Sequence, residues 1–455
     1  MATFSRSIPL ADSAEEVLAW HGRPGAFHRL KPPWQDIRIV QQSGSIHEGD
    51  RLVMEIRSGL LRTRWTALHH DLPGVIGFED EQVSGPFASW RHRHLVESAG
   101  TQESILHDLI EYTLPFSRVS TPLIGRVVEQ QLDRLFAYRH RTMTADIRTH
   151  RGIAPLRIAI AGASGFVGSN LIPFLTTGGH TVLRLVRRQA RAGEIEWNPD
   201  QGTLDASRME GVDAVINLAG ENIATRWTDH AKQGIRESRI RSTTLLATTM
   251  ARLEKRPQAF ISVSAVGYYG DTGDQEVDET TKAGDGFLPE IARAWEDAAG
   301  PAALAGIRVV HPRFGIILSP AGGALAKMLP IFKLGAGGRL GSGKQWMSWV
   351  AMDDVLGSIH HLLTHPSLSG PVNLVSPNPV RNEEFTRVLA RVVSRPAIAP
   401  VPPFALHLLY GREMPDETLL SGARVLPRRL ESDGYVFRFP DLEDALRHVL
   451  GRVKE

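Results

Sequence analysis

Three glycines follow a short apolar stretch near the middle of the chain, at a spacing that suits binding of a dinucleotide. The segment 156–168 reads LRIAIAGASGFVG. Gly162 permits a tight turn, Gly165 lets the backbone approach a phosphate, and Gly168 lets the next helix pack on the strand. The amides and dipole at the start of that helix attract the anion. Because an apolar strand precedes the glycines and an amphipathic stretch follows them, the segment predicts a pyrophosphate-binding turn rather than an ordinary glycine turn.

Two arginines, Arg187 and Arg188, follow the next candidate strand, Thr181–Val186. An enzyme that uses NAD carries an acidic residue near this point for the ribose hydroxyls. A guanidinium instead binds a 2′-phosphate through charge-assisted hydrogen bonds, whereas a carboxylate would repel it. The pair therefore favours NADP, with a solvent-facing arginine pair as the alternative.

Two further buried strands open onto small and polar residues, Asn217–Gly220 after the first and Ser264–Gly270 after the second. They resemble the fourth and fifth strands of the short-chain dehydrogenases/reductases. In that superfamily the first loop passes the nicotinamide side of the cofactor, and a serine or threonine after the second strand polarises the substrate oxygen. The resemblance assigns that role to Ser264, with Ser262 as the second candidate.

The resemblance narrows to an atypical extended group of the superfamily, the epimerase family proteins. Two segments resemble those of extended members: an arginine-bearing stretch that begins at Arg313, and a signature of glycine, glutamine and aspartate that begins at Gly341. The stretches that resemble the narrower group are NLAGENI (217–223), RWT (226–228), SRI (238–240), SAVGYYG (264–270), GALAKMLP (323–330), PNPVRNEEF (377–385) and LSGARVLP (420–427). Longer members of this group carry a START-like domain in front.

The chain departs from the superfamily where catalysis is concerned. Ordinary members use a tyrosine whose pKa is lowered by a lysine one helical turn later, and the tyrosine transfers the proton that accompanies hydride movement. No tyrosine lies between Tyr269 and Tyr410. If Glu296 matches the glutamate that usually follows, the two catalytic positions are Leu288 and Ala292. Either another acid supplies the proton, or the protein binds the nucleotide without this chemistry.

Four side chains are candidates for the missing acid: Tyr268, Tyr269, Glu221 and Glu290. The resemblance favours a structural role for Tyr269, at the strand-end turn, and leaves Tyr268 as the more open choice. Three tryptophans form either a stacking wall for substrate or ordinary packing: Trp227, Trp346 and Trp349. The adjacent Asp353 and Asp354 do not face each other on a helix, so they indicate capping and packing rather than a carboxylate dyad.

The first 150 residues lack strand–helix alternation and predict a separate α+β unit. The predicted strands are 51–58, 61–69, 75–82, 88–97 and 104–114. In the last of these, Leu106, Ile110, Tyr112 and Leu114 share one parity, so they could line a common interior face. The apolar spacing after Pro122 predicts one covering helix. The WRHRH stretch (90–94), the DLIEYTLP stretch (108–115) and the end of the helix resemble START-like helix-grip proteins. That resemblance implies an apolar ligand cavity, with a dry core as the alternative.

Three histidines of this unit, His92, His94 and His107, raise the question of a metal. Alternate residues of a strand point to one face. Histidines on a solvated or hydrogen-bonded strand face are the commoner arrangement, so no metal site is expected here.

The composition limits the partners. The 455 residues include no cysteine, which excludes disulfides and thiolate chemistry, so any redox chemistry must belong to a bound cofactor. Basic residues exceed acidic ones by two, 52 against 50, and are spread along the chain, so neither nucleic acid nor a membrane is expected as a partner. The start has no apolar core of signal-peptide length, which predicts a cytoplasmic protein. The oligomeric state is left open.

The sequence therefore predicts an α/β protein with a START-like helix-grip domain (1–150), a Rossmann doubly wound parallel sheet (156–365) and a small C-terminal lobe (366–455). The predicted function is that of an NADP-dependent oxidoreductase or epimerase acting on a small molecule. The alternative is a non-catalytic NADP-binding sensor or scaffold coupled to the apolar-ligand domain. The predicted catalytic residues are Ser264 and Tyr268. The predicted cofactor contacts are Gly162, Ser164, Gly165, Phe166, Val167, Gly168, Arg187, Arg188, Asn217, Leu218, Ala219, Gly220 and Ser262.

Overall fold

A computed structural model describes residues 1–59, 61–115 and 122–452. The chain divides into two compact units. The first comprises residues 1–153, 176–179 and 450–455, and the second comprises residues 154–175 and 180–449. The second unit thus includes the predicted Rossmann segment except residues 176–179, and most of the predicted C-terminal lobe. The last three residues of that lobe, 453–455, lie outside the described residues. Within the part of the chain that is described, no helix is both long and apolar enough to cross a bilayer.

The first unit is built on a seven-stranded antiparallel sheet in the order β1-β7-β6-β5-β4-β3-β2. Its strands are β1 (Ala2–Leu10), β2 (Asp36–Ser43), β3 (Arg51–Ser58), β4 (Leu61–Asp71), β5 (Gly77–Ser84), β6 (Ser89–Gly100) and β7 (Glu103–Thr113). The five predicted strands are confirmed with small shifts of their ends. β1 and β2 were not predicted, because short runs of polar residues and Pro9 mask their alternation.

One face of this sheet is covered by helices. These are α1 (Ala14–Gly22), α2 (Ala26–Leu30) and the long α3 (Pro122–His150), which confirms the predicted covering helix. Leu132 and Phe136 of α3 pack with Trp65, Trp90 and Tyr112 of the sheet. The common parity predicted for β7 is confirmed, because its alternate residues 106, 110 and 112 are all buried.

The second unit is an α/β fold around a largely parallel sheet. Its main strands are β8 (Arg157–Ala161), β9 (Thr181–Val186), β10 (Glu194–Asn198), β11 (Thr203–Leu204), β12 (Ala214–Asn217), β13 (Ala259–Ser262), β14 (Ser264–Ala265), β16 (Arg308–Phe314) and β20 (Gly370–Leu374). The order is β11-β10-β9-β8-β12-β13-β16, and β14 and β20 both pair with β16. Strand β20 lies beyond the predicted boundary at residue 365 and still extends the sheet.

Helices cover both faces of this sheet. They are α4 (Gly168–Thr177), α5 (Asp229–Ala251), α6 (Phe287–Asp297), α7 (Gly300–Leu304), α8 (Gly323–Lys333) and α9 (Met352–Thr364). One apolar cluster joins α4 and α9 to the sheet, and a second joins α5 and α7 to it. These two layers confirm the doubly wound arrangement that the alternation of strands and helices predicts.

Short elements complete the second unit. The strands are β15 (Glu276–Val277), β17 (Ile316–Leu318), β18 (Trp346–Met347), β19 (Trp349–Ala351), β21 (Val380–Arg381) and β22 (Arg424–Val425). The helices are α10 (Asn382–Val393), α11 (Pro403–Tyr410), α12 (Glu413–Thr418), α13 (Arg428–Ser432) and α14 (Leu442–Leu450). The small pairs β15–β22 and β18–β21 join the C-terminal segment to earlier parts of the unit.

Candidate cofactor and substrate site

The turn after β8 has the geometry of a pyrophosphate cradle. Gly162 has φ +75°, and a Cβ there would lie 2.7 Å from the carbonyl carbon of Leu218. A Cβ on Gly168 would lie 2.4 Å from the carbonyl oxygen of Gly162, so only glycine lets α4 start this close to the strand. Gly165 is exposed, and its Cβ would meet only the Gly162 oxygen, at 3.1 Å. The backbone is therefore bare where a phosphate would approach, which fits a dinucleotide.

A groove of about 670 Å³ lies along this turn. It runs between the glycine turn, the end of β9 and the loop after β12. Its lining includes the predicted contacts Gly162, Ser164, Gly165, Arg187, Arg188, Leu218, Ala219 and Gly220. The structure thus brings together most of the predicted cofactor residues in one groove.

Phe166, Val167 and Gly168 lie outside the groove lining. The Phe166 ring lies against Gly322, whose Cβ would be 2.4 Å from the ring, and Val167 packs on the core beneath the sheet. Their side chains stabilise the turn, which leaves only their backbone to contact a cofactor.

The two arginines after β9 differ in whether they already form an ion pair. Arg188 makes a bidentate ion pair with Glu194, with nitrogen–oxygen distances of 2.6 and 2.8 Å. This pairing lowers the pKa of Glu194, which accepts hydrogen bonds from Arg188 and from the Arg191 amide. Arg187 is exposed and makes no ion pair with any described residue. Of these two arginines, Arg187 is thus the one without a competing ion pair at this end of the groove, which Arg184 also lines.

Asn217 positions the loop after β12 rather than lining the groove. Its side chain is fully buried, its amide nitrogen donates to Thr243 Oγ1 at 2.9 Å, and its oxygen accepts from the Ala219 amide at 3.1 Å. Thr243 Oγ1 also accepts from Trp295 Nε1 at 3.0 Å. The amide side chain thereby fixes the strand-end loop to α5 and α6.

The two predicted serines end buried strands. Ser262 and Ser264 are 0% and 2% exposed, and neither hydroxyl has a hydrogen-bond partner among the described residues. A buried hydroxyl left unpaired costs free energy. Neither serine lines the groove, so their two buried hydroxyls are unpaired polar groups beside the site rather than part of its wall.

The two tyrosines after β14 have different environments. Tyr269 is buried, donates to Asn373 Oδ1 at 2.8 Å and accepts from Arg313 Nη1 at 3.0 Å. Burial raises the pKa of Tyr269 to about 12. Tyr268 is partly exposed, lies with its ring 3.4 Å from the Arg313 guanidinium, and its hydroxyl makes no hydrogen bond to described residues. Tyr269 has a structural role, and Tyr268 is the tyrosine with a free hydroxyl.

The positions of the usual tyrosine and lysine are apolar in three dimensions as well. Leu288 lies in the first turn of α6, and its Cβ is 3.3 Å from the Cβ position of Gly267, beside the strand-end turn. Ala292 is buried one turn later. Glu296 accepts two hydrogen bonds of 2.8 Å from Arg313. The glutamate thus positions Arg313, and neither α6 position carries an acid.

The remaining acid candidates and the tryptophans have other surroundings. Glu290 is exposed and paired with Arg236, and Glu221 is exposed beside α5. Trp227 packs with Phe287 in one apolar cluster. The Trp346 and Trp349 indoles donate to Asp274 and to the Asn378 carbonyl, respectively. The tryptophans form no common wall, which leaves the packing interpretation.

Asp353 and Asp354 do not act as a pair. Asp354 accepts hydrogen bonds from the amides of Arg438 and Phe439, whereas Asp353 contacts His448. These contacts agree with the predicted packing role. The capping role is wrong, because the N-cap of α9 is Ala351 and no described side chain donates or accepts a capping hydrogen bond there.

Two residues of this region were not predicted. Arg239 lies beside Gly220, with its guanidinium carbon 3.2 Å from the glycine Cβ position, and donates to the carbonyls of Ile235 and Glu221. Burial lowers its pKa to about 10. Glu417 accepts from the amides of Phe287 and Leu288 at the start of α6. The SRI stretch pointed to Arg239, whereas nothing local in the sequence relates Glu417 to a helix 130 residues earlier.

Comparison with known proteins identifies the family. Residues 158–375 match the NAD dependent epimerase/dehydratase family, and residues 401–449 match a domain of unknown function, DUF1731. Epimerase family protein Mb2239 from Mycobacterium bovis is 45% identical over 297 residues, which are 65% of this chain and 98% of that protein. The chain belongs to the NAD-dependent epimerase/dehydratase family. The family supports a nicotinamide cofactor in the groove described above.

Solved structures of family members extend the comparison. A nucleoside-diphosphate sugar epimerase from Corynebacterium glutamicum has a TM-score of 0.80 and 31% identity, and the match covers 98% of this chain and 90% of that one. Human epimerase family protein SDR39U1, solved with NADPH, has a TM-score of 0.60 and 32% identity, covering 66% of this chain and 100% of that one. The first likeness includes the N-terminal unit, and the second covers the family portion.

Proposed function

We propose that this family member is an NADP-dependent oxidoreductase or epimerase that acts on a small molecule through Ser264 and Tyr268. The observation that carries the NADP assignment is Arg187, an exposed cation at the end of β9, beside a cradle formed by three glycines. The human relative solved with NADPH supports the same choice of cofactor.

The chain's own residues divide the work at the substrate. The cofactor, when bound, supplies hydride acceptance and donation at its nicotinamide ring. The Ser264 hydroxyl, buried and unpaired among the described residues, would donate a hydrogen bond to the substrate oxygen. The free hydroxyl of Tyr268 would take or give the proton that accompanies hydride movement. The Arg313 guanidinium stacks on the Tyr268 ring and positions it.

We take the substrate class to test from a relative of known structure. The structure with a TM-score of 0.80 is described as a nucleoside-diphosphate sugar epimerase. Nucleoside-diphosphate sugars are therefore the first compounds to test. Epimerisation moves hydride out and back and leaves no net change in the cofactor, so absorbance alone would miss it.

The deciding experiment separates binding from turnover. The nucleotide-stripped protein is titrated with NADPH and NADH. It is then incubated with carbonyl compounds in the presence of the reduced cofactor, and with nucleoside-diphosphate sugars in the presence of the oxidised cofactor, NADP⁺ or NAD⁺. Absorbance of the reduced nicotinamide reports reduction, and chromatography of the sugars reports epimerisation. Tight NADPH binding with either product supports the enzyme. Binding that favours NADH contradicts the NADP assignment.

A second candidate function is a non-catalytic NADP-binding sensor or scaffold. Leu288 and Ala292 at the usual catalytic positions favour it, because neither can transfer a proton. NADPH binding without turnover of any tested compound would support this candidate.

For the first unit we propose a START-like helix-grip domain that binds a small apolar molecule. A cavity of about 320 Å³ lies between the sheet and α3, lined by Trp65, Trp90, Leu132, Leu135 and other apolar side chains. Soaking the full-length protein with fluorescent fatty acids and sterols, and measuring competition by unlabelled compounds, tests this role. A protein that takes up none of these probes would favour the dry-core alternative.

A further inference from the structure

Two histidines and an aspartate of the first unit converge on one point. Asp80 of β5 lies opposite His92 of β6 in the sheet register, and His94 follows two residues later on the same face. Asp80 Oδ2 is 3.1 Å from His92 Nδ1 and 3.5 Å from His94 Nε2. The three atoms lie within 4.8 Å of one another. One nitrogen from each ring therefore faces the same carboxylate oxygen.

These separations suit ligands of a single metal ion. Zinc bonds to nitrogen and oxygen are about 2.0–2.2 Å long, so two ligand atoms of a tetrahedral site lie roughly 3.3–3.6 Å apart. The two measured distances from Asp80 Oδ2 fall close to that range. Two imidazoles and a carboxylate are also a donor set that zinc uses.

A second carboxylate contacts the opposite side of both rings. Asp108 Oδ1 lies 2.9 Å from His92 Nε2 and 2.9 Å from His94 Nδ1, and Asp108 Oδ2 is 2.6 Å from His140 Nε2. Metal-binding histidines usually have a carboxylate or carbonyl at the ring nitrogen that does not face the metal, which fixes the tautomer and the ring orientation. The side chains of Asp108 and both rings are at least nine-tenths buried.

The three residues also border a cavity. Asp80, His92 and His94 all line the 320 Å³ cavity, whose other walls are mostly apolar. Three protein ligands leave a fourth position for a water or another ligand, as in catalytic rather than structural zinc sites. The fourth position here would open into the cavity.

We propose that Asp80, His92 and His94 bind one divalent cation of the zinc class, with Asp108 as the positioning residue behind both rings. The open position takes an oxygen or nitrogen donor from a molecule in the cavity. This assignment departs from the expectation that the histidines form only a hydrogen-bonded set. In the set of three candidate ligands, Asp80 takes the place of His107, because His107 lies on the opposite face of the sheet.

The alternative is a metal-free network. In that arrangement both nitrogens of His92 carry protons, and the ring is a cation between two carboxylates. Such a network predicts no specific uptake of a divalent ion, so metal binding separates the two.

The experiment uses tag-free full-length protein, treated with EDTA and dialysed, and then titrated with Zn²⁺ or Co²⁺ at pH 7.5. Calorimetry and elemental analysis give the stoichiometry, and the visible bands of Co²⁺ report tetrahedral coordination. We expect one ion whose affinity falls at least 100-fold in His94→Gln and in Asp80→Asn. We expect a loss of roughly 10- to 100-fold in Asp108→Asn, which keeps all three ligands.

His107→Gln is the matched control. His107 lies on the neighbouring strand, is more than one-third exposed, and contacts Ser7 and Glu97 rather than the cluster. This variant should bind the ion as the unmodified protein does. Circular dichroism of each metal-free variant shows whether it folds. If His94→Gln does not fold, the nearly isosteric Asp80→Asn variant decides the test.

Three results would overturn the proposal. One is absence of Zn²⁺ and Co²⁺ binding to the unmodified protein. Another is equal binding by the unmodified protein and a folded His94→Gln or Asp80→Asn variant. The third is a loss in His107→Gln as large as in His94→Gln.

Discussion

Replacement of Arg187 tests how the protein selects its cofactor. Arg187 and Arg188 are adjacent and both line the groove, but Glu194 already binds the guanidinium of Arg188 through two hydrogen bonds. Of these two arginines, Arg187 is the one that makes no ion pair with a described residue, so it can bind a 2′-phosphate without breaking an existing pair. We therefore expect Arg187→Ala to weaken NADPH binding and to leave NADH binding nearly unchanged.

The size of this loss follows from the contact that is removed. A hydrogen bond to a charged group contributes roughly 1.5–3 kcal/mol, and about 1.4 kcal/mol corresponds to a factor of ten. The expected loss of NADPH affinity is therefore roughly 10- to 150-fold. Solvent screening at this exposed position places the value toward the lower end. Arg187→Asp should lose more, because it adds repulsion.

The assay uses a fluorophore that the groove supplies. Trp197 lines the groove, so its emission should be quenched when a reduced nicotinamide dinucleotide binds. Titrations with NADPH and NADH at low and high salt give four dissociation constants for each protein. The NADPH advantage of the unmodified protein should shrink as salt rises, because it comes from a screened charge.

Arg188→Ala is the matched control, and its loss of NADPH affinity should be smaller than that of Arg187→Ala. The reasoning is refuted if Arg187→Ala weakens NADPH and NADH equally. It is also refuted if Arg188→Ala costs more NADPH affinity than Arg187→Ala, because Glu194 would then not have neutralised Arg188.

Three further predictions concern chemistry and stability. Ser264→Ala should abolish product formation and leave the affinity for NADPH nearly intact. The control is Glu290→Gln, in an exposed ion pair, which should leave turnover unchanged. Unaltered turnover in Ser264→Ala would exclude a catalytic role for that serine. Gly168→Ala should weaken the binding of NADPH and NADH alike and lower the free energy of unfolding by about 1–3 kcal/mol, because its Cβ would lie 2.4 Å from the Gly162 oxygen. The control in the same denaturation and binding measurements is Gly300→Ala, whose Cβ would have no atom within 4 Å. Burial raises the pKa of Asp354 from 3.8 to about 6, so between these pH values the folded state holds a proton that the unfolded state releases. The free energy of unfolding should therefore fall as pH rises from 3.8 to 6. Urea denaturation at several pH values should show a smaller slope in Asp354→Asn, and an equal slope would contradict the assignment.

The features that sequence predicts best are those encoded within one short segment. The glycine turn, the strand before it and the helix after it involve neighbouring residues, and their spacing alone determines the backbone geometry. The parity of β7 is likewise local, because alternation within one strand decides which side chains are buried. These predictions needed no knowledge of distant contacts.

Features formed by distant segments could not be predicted in this way. The sequence shows His92 and His94 on one face, but only the pairing of β5 with β6 brings Asp80 to them. Glu194 neutralises Arg188 only because β10 lies beside β9. Strand β20 falls within the predicted C-terminal lobe (366–455), because its pairing with β16 depends on tertiary structure that the local sequence does not show.

The carboxylate of Glu417 ties the stability of the first turn of α6 to the position of α12. This side chain belongs to α12, which is also held to α5 by the ion pair of Glu413 with Lys232. Moving α12 away would leave the amides of Phe287 and Leu288 without their acceptor and expose the positive end of the helix dipole. The first turn of α6 is therefore completed by a side chain that lies 130 residues further along the chain, so the helix and the C-terminal segment are stabilised together.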